Sequence, residues 1–185
     1  MNLIRLQAGE NLKKKLRQSA LKIRESLNLT QISHKICDKI VSMPEFQKSK
    51  NIGIFYPKNV EINVLELCQN KDKNFYLPKI IDNTMEFYEF LNQNDLKKGK
   101  FDIFEPNSDN LAKHLDIIIT PALMADKKGY RLGWGGGFYD KYLQNFDGVT
   151  ICPVPNCQIT DSLPCENYDR KCDFVVSEKK IIKIC

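Results

Sequence analysis

The residues best suited to chemistry lie between Arg131 and Asp140: an arginine, then glycines at 133, 135, 136 and 137, then an aspartate. Glycines at those positions remove Cβ atoms, so backbone N–H groups can converge on an anion where the chain enters a helix. Arg131 adds a permanent charge with the forked donors that suit phosphate. Asp140, one turn into that helix, supplies a carboxylate able to hold magnesium beside the phosphate. A plainer alternative is a glycine-rich turn that only lets a helix pack closely on a sheet. The flanking Arg131 and Asp140 favour a nucleotide site. Neither common fingerprint fits, however. G-x-G-x-x-G begun at Gly133 would need glycine where Phe138 stands, and the P-loop pattern finds no register because Asp140 precedes Lys141.

These residues need a strand before them and a helix after. Leu115 to Ile119 is an apolar run that predicts a buried strand, and Tyr139, Tyr142, Leu143 and Phe146 recur at helical spacing within Phe138 to Phe146. Upstream, Leu12, Leu16, Ile23 and Leu27 form the apolar stripe of a helix over Glu10 to Leu27. Lys13, Arg17 and Arg24 fall on a neighbouring face. That face is either solvated and basic, or it lets Lys13 and Arg17, one turn apart, clamp phosphates. Asn28 to Thr30 breaks the helix, and Thr30 or Ser33 can cap a second one that ends before Pro44.

Asn51 to Tyr56 predicts the first core strand, ended by Pro57, and Glu61 then opens an amphipathic helix carrying Ile62, Leu65 and Leu67. A glutamate there is either a simple dipole partner or a ligand contact beyond a strand's carboxyl end. Phe75 to Ile80 and Met85 to Leu91 predict strands around an Asp82-Asn83 turn, Asp95 to Gly99 a polar connection, and Phe101 to Pro106 a short extended piece. Val149 to Val154 and Phe174 to Ser177 predict two more strands, separated by a loop over Gln158 to Asp169. Strands alternating with helices give an α/β class: a three-layer sandwich over residues 1–185 in a single domain, with a largely parallel sheet and helices on both faces.

The chain has 185 residues, 42% hydrophobic and 28% charged, the composition of an ordinary globular protein. A net charge of +5 with scattered lysines suits a small anionic ligand better than nucleic acid. Seven cysteines without a C-x-x-C pair argue against a zinc site and for a reduced, cytoplasmic setting. No run is long enough to span a membrane. His34 and His114 have no nucleophile or metal partner nearby in sequence and receive no role.

The motifs in order resemble the 5-formyltetrahydrofolate cyclo-ligase family over nearly the full length. They are Lys13-Lys14-Lys15-Leu16-Arg17, Phe55-Tyr56-Pro57 with Glu61-Ile62, Leu77-Pro78, Phe104-Glu105-Pro106, Asp116 to Pro121, Gly129 to Asp140, and Leu163 to Asp169. The sequence departs from the family pattern at Ala125, Phe138 and Tyr168, where phenylalanine, tyrosine and histidine are common. The resemblance implies that Lys13, Arg17 and the loop Arg131, Leu132, Gly133, Trp134, Gly135, Gly136, Gly137, Phe138 and Tyr139 contact ATP. It implies that Tyr56 and Glu61 line the folate pocket with Trp134 to Phe138, and that Asp140 and Asp169 hold Mg²⁺. Arg131, Lys13 and Glu61 are the residues it places nearest the chemistry. The expected enzyme is a cytoplasmic monomer that uses ATP and magnesium to cyclise 5-formyltetrahydrofolate. It would need no nucleic acid or membrane. Two other classes compete: a nucleotide-binding oxidoreductase, weakened by the broken G-x-G-x-x-G, and an RNA-binding module with aromatic stacking platforms.

Overall fold

The computed structural model describes residues 2–100 and 103–184. Helix α1 (Asn2–Arg24) is followed by α2 (Leu29–Ser42) and the short α3 (Pro44–Lys48). The strands are β1 (Asn51–Gly53), β2 (Asn74–Ile81), β3 (Thr84–Glu89), β4 (Leu96–Lys98), β5 (Phe104–Pro106) and β6 (Ile117–Ile119). They continue with β7 (Met124–Asp126), β8 (Arg131–Leu132), β9 (Val149–Pro153), β10 (Ile159–Thr160), β11 (Phe174–Val176) and β12 (Ile181–Lys183). The five-residue helix α4 (Phe138–Tyr142) lies between β8 and β9.

Seven strands form the main sheet in the order β12-β11-β9-β6-β1-β2-β3. The five central strands run parallel, and β3 and β12 pair antiparallel at the edges. Ile117, Ile118 and Ile119 are all buried, as a strand covered on both faces requires. On one face Ile52, Ile54, Ile117, Ile119 and Ile151 pack against Ile36 and Ile40 of α2 and Phe46 of α3. On the other, Ile118 and Phe87 pack against the segment 138–146. The rest of that face is covered by a small sheet, β10-β7-β8, through Ala125, Cys152 and Val175. The expected α/β class with a largely parallel sheet and helices on both faces is what forms.

Several local expectations change. Asn28 caps α2, accepting from Gln31 N at 3.1 Å, in place of Thr30 or Ser33. Pro44 opens α3 as well as following α2. No α-helix begins at Glu61. The Ser33 hydroxyl accepts from Asn63 N at 2.9 Å and holds the chain extended, and only a 3₁₀ turn forms over Leu65–Gln69. Residues 96–98, expected as a connection, pair with β5, while Phe101 and Asp102 of the expected extended piece lie outside the described residues. The helix after the glycines stops at Tyr142 and gives way to a 3₁₀ turn. Among the described residues no helix is long and apolar enough to cross a membrane.

From β1 the chain steps to β2 on one side, and later returns to β6 on the other. The carboxyl ends of β1 and β6 therefore diverge, and in an open α/β sheet that crevice is where ligands bind.

Candidate active site

The crevice is a cavity of about 660 Å³, and every residue expected at the site lines it. Phe55 and Tyr56 enter from the end of β1, Pro121 from the end of β6, and the glycine loop from the end of β8. A second cavity of about 1000 Å³ adjoins it, sharing Tyr56, Lys58, Glu61 and Trp134.

The long loop expected between Thr120 and Arg131 contains the hairpin β7–β8. Its turn is organised by Asp126, fully buried, whose carboxylate accepts from Lys128 N, Tyr130 N and Leu163 N, each at 2.9 Å. That arrangement fixes Arg131 on a strand. Past it, Gly135 adopts φ 103°, where a Cβ would also lie 3.3 Å from the Arg17 guanidinium carbon. Gly137 at φ 69° precedes α4. With only five residues, that helix contributes little dipole. The positive potential comes from side chains instead. Arg17 Nε donates to Gly133 O at 2.8 Å, so α1 lies against the glycine loop.

Arg131 and Lys13 are ion-paired. Arg131 Nη2 donates to Asp140 Oδ1 at 3.0 Å and Nη1 to Arg170 O at 2.9 Å, with the Arg131 side chain only 3% exposed. Behind it the buried Cys172 thiol is lowered, first by its neighbour Cys152 and then by the charge of Arg131. Lys13 Nζ donates to Asp169 Oδ2 at 2.8 Å and to Glu166 Oε1 at 3.2 Å. Burial lowers the Lys13 pKa, but the hydrogen bonds to those carboxylates outweigh it and the net shift is upward. Glu166 is held below the usual range, first by Tyr168 and then by Lys13.

At the other end Glu61 is buried and its carboxylate accepts from Trp134 Nε1 at 2.6 Å and from Lys58 N at 2.7 Å. Lys58 Nζ lies over the Trp134 ring at 4.7 Å. Burial pushes the Glu61 carboxyl up, against those two bonds and the charge of Arg24. Tyr139, on α4, has a buried hydroxyl with no hydrogen-bond partner among the described residues.

Asp140 and Asp169 each use one carboxylate oxygen for a cation and a backbone N–H, and the second oxygen bonds no described residue. Two such hard oxygen donors beside a phosphate cradle fit magnesium, which takes one or two carboxylates and leaves its other positions to phosphate and water.

Sequence reasoning missed four contributors. Arg24 was placed with the basic face, yet it is 1% exposed. Asp126, Lys58 and Glu166 received no role. An aspartate three residues before a glycine, Asp126 to Gly129, was the available turn signal for Asp126; nothing local marked the others.

A family model described as the 5-formyltetrahydrofolate cyclo-ligase family matches residues 3–178. The chain belongs to that family. The 5-formyltetrahydrofolate cyclo-ligase of Haemophilus influenzae is 34% identical, with 85% of this chain and 92% of the relative covered. Its counterpart in Escherichia coli K12 is 30% identical over 77% of this chain and 86% of the relative. The solved 5,10-methenyltetrahydrofolate synthetase of Aquifex aeolicus superposes with a TM-score of 0.83 at 30% identity, covering 94% of this chain and 93% of that one. This family member is therefore an enzyme of the cyclo-ligase class, and the oxidoreductase reading falls away.

Proposed function

We propose that this cyclo-ligase converts 5-formyltetrahydrofolate and ATP to 5,10-methenyltetrahydrofolate, ADP and phosphate, with magnesium, in the cavity between β1 and β6. One observation carries the reading. A single cavity is lined both by Lys13, Arg17 and Arg131 and by Tyr56, Glu61 and Trp134. Cations beside a glycine loop suit a triphosphate. An aromatic wall with a buried hydrogen-bonding carboxylate suits a pterin.

A formamide oxygen is a poor leaving group, so direct attack by N10 stalls. In the proposed sequence the formyl oxygen attacks the γ-phosphorus. The new O–P bond replaces the bond to the departing ADP, while the N5 lone pair forms a C=N bond. N10 then attacks that carbon, the C–O bond breaks toward phosphate, and the N10 proton is balanced by the proton on the released hydrogen phosphate. Such a transfer depends on positioning and charge neutralisation, with no protein nucleophile. Arg131 and Lys13 would leave Asp140 and Asp169 for phosphate oxygens, and those carboxylates would hold magnesium, which when bound neutralises phosphate charge. Leu132 to Phe138 would line the path between the ligands. Glu61 would orient the pterin by accepting its N–H groups. The free thiols and absence of disulfides among the described residues favour a reducing, cytoplasmic setting, and we take the working unit to be a monomer.

The test is growth of methenyltetrahydrofolate absorbance from 5-formyltetrahydrofolate with and without ATP and magnesium. Growth that needs both supports the proposal. A folded protein that binds ATP but gives no product would leave the phosphate site standing and remove the substrate.

A further inference from the structure

The last residue of α1, Arg24, is buried, and among the described residues no carboxylate bonds it. Its guanidinium instead donates to four neutral acceptors on three segments. Nε reaches Gln158 Oε1 at 2.7 Å, and Nη1 reaches Val60 O at 2.6 Å. Nη2 reaches Ala122 O at 2.7 Å and Leu123 O at 3.0 Å. Gln158 is anchored in turn, its Nε2 donating to Ala20 O at 2.8 Å.

Those acceptors lie directly behind both ends of the cavity. Val60 precedes Glu61, the carboxylate bonded to Trp134 and Lys58. Leu123 N donates to Leu132 O at 2.8 Å, and the carbonyl of that same peptide is Ala122 O, so Arg24 grips the peptide that pairs with the Arg131 hairpin. A buried cation without an ion partner is an expensive way to fill space, since an apolar side chain of similar volume packs as well or better. Its rigid fork, though, can fix several carbonyls at once, which lysine cannot do.

We infer that Arg24 is a positioning residue: it holds Glu61 through Val60 and the Arg131 hairpin through the Ala122–Leu123 peptide, and its guanidinium sets a buried positive charge against the segment that carries the Glu61 carboxylate. The charges of Arg24 and Glu61 favour one another through space, so Arg24 opposes the rise that burial imposes on Glu61, after the Lys58 and Trp134 N–H bonds. The other groups that act on Glu61 are Lys58 from the preceding loop, the Trp134 N–H from the glycine loop, and the neutral Tyr139 phenol from α4. The catalytic meaning of this tether rests on the cyclo-ligase reading of the cavity. The tether itself does not.

Trp134 is the chain's one tryptophan, and its indole N–H donates to Glu61, so its emission in the ligand-free protein titrates with the Glu61 carboxyl. Arg24→Met should move that midpoint up by about one pH unit, the size expected for removing a nearby charge. Arg24→Lys keeps the charge and should leave the midpoint within a few tenths of wild type. It loses the fork, however, and should raise the KM for 5-formyltetrahydrofolate about tenfold. Should Arg24→Met fail to fold, Arg24→Gln is also neutral, keeps an amide donor toward the same carbonyls, and carries the same expectation. A neutral variant that melts lower but keeps the wild-type midpoint would show that Arg24 is only structural, and would overturn the inference. Wild-type protein that fails to cyclise 5-formyltetrahydrofolate would defeat the functional reading, while the emission midpoint would still decide the tether.

Discussion

The orphaned Tyr139 hydroxyl offers a sharp test of the cavity. It is buried and without a partner among the described residues, and burial drives its pKa far upward, with the charge of Glu61 adding to the rise. The phenol is therefore a proton donor at any working pH. Leaving a buried donor unmade costs about 1–3 kcal/mol. Tyr139→Phe deletes only that oxygen and leaves the ring edge-on to Phe87, with centroids 6.4 Å apart. The ligand-free variant should melt no lower than wild type, and at about 2–4 °C per kcal/mol for a chain of this size it should melt up to several degrees higher. Turnover should move the other way. If the hydroxyl donates to the transferring phosphoryl group, a bond to a charged acceptor is worth about 1.5–3 kcal/mol. Its loss then lowers kcat about 10- to 100-fold. Calorimetry of the ligand-free protein and methenyl absorbance at saturating substrates measure the two effects. A variant that melts several degrees lower and turns over at the wild-type rate would refute the reasoning, because the hydroxyl would then be satisfied at rest and idle in the reaction.

Two further substitutions follow from the same geometry. Burial raises the folded-state pKa of Glu61, so its favourable contribution is present below the unfolded value and lost as pH rises through the folded one. Glu61→Gln should thus melt higher than wild type at neutral pH, with the gap closing below about pH 4, and melting curves across that range check it; equal melting at neutral pH would count against the sign. Arg131→Ala should damage folding as well as ATP affinity, because it strands the Arg170 carbonyl and Asp140 behind a nearly buried side chain, at about 1–3 kcal/mol. Thermal melts beside ATP titration calorimetry separate the two losses, and a variant with wild-type melting would mean that water replaces the guanidinium.

The Arg131 case shows where sequence reasoning stopped short. From the sequence it belongs to the glycine loop; in the structure it sits on a strand of two residues, too short for a period-two pattern to reveal. The parallel core was legible because Ile117, Ile118 and Ile119 make an unbroken apolar run, which a strand covered on both faces demands. The glycine loop was legible because clustered glycines beside arginine and aspartate are rare without a ligand. Glu61 lines the cavity, but the helix expected to open there does not form. Apolar residues at 62, 64, 65 and 67 suit either period, and the Ser33 hydroxyl, far off in sequence, decides for extended chain. Arg24 was the deepest miss. One basic residue per turn looks like a solvated face, and only the carbonyls at 60, 122 and 123 turn one of them inward.

The contacts that close the cavity join distant parts of the chain. Arg24 meets Gln158 across 134 positions, and Lys13 meets Asp169 across 156. During synthesis, Lys13 and Arg24 therefore emerge long before their partners exist. Closing such long loops adds only slowly to the entropy of folding, but it places α1 among the last elements able to dock. A ligand touching both Lys13 and the glycine loop bridges the first helix to the rest of the sheet. By mass action it deepens the native state of the whole chain. On the proposed reading, in which ATP is that ligand, nucleotide supply and the abundance of folded enzyme are coupled quantities.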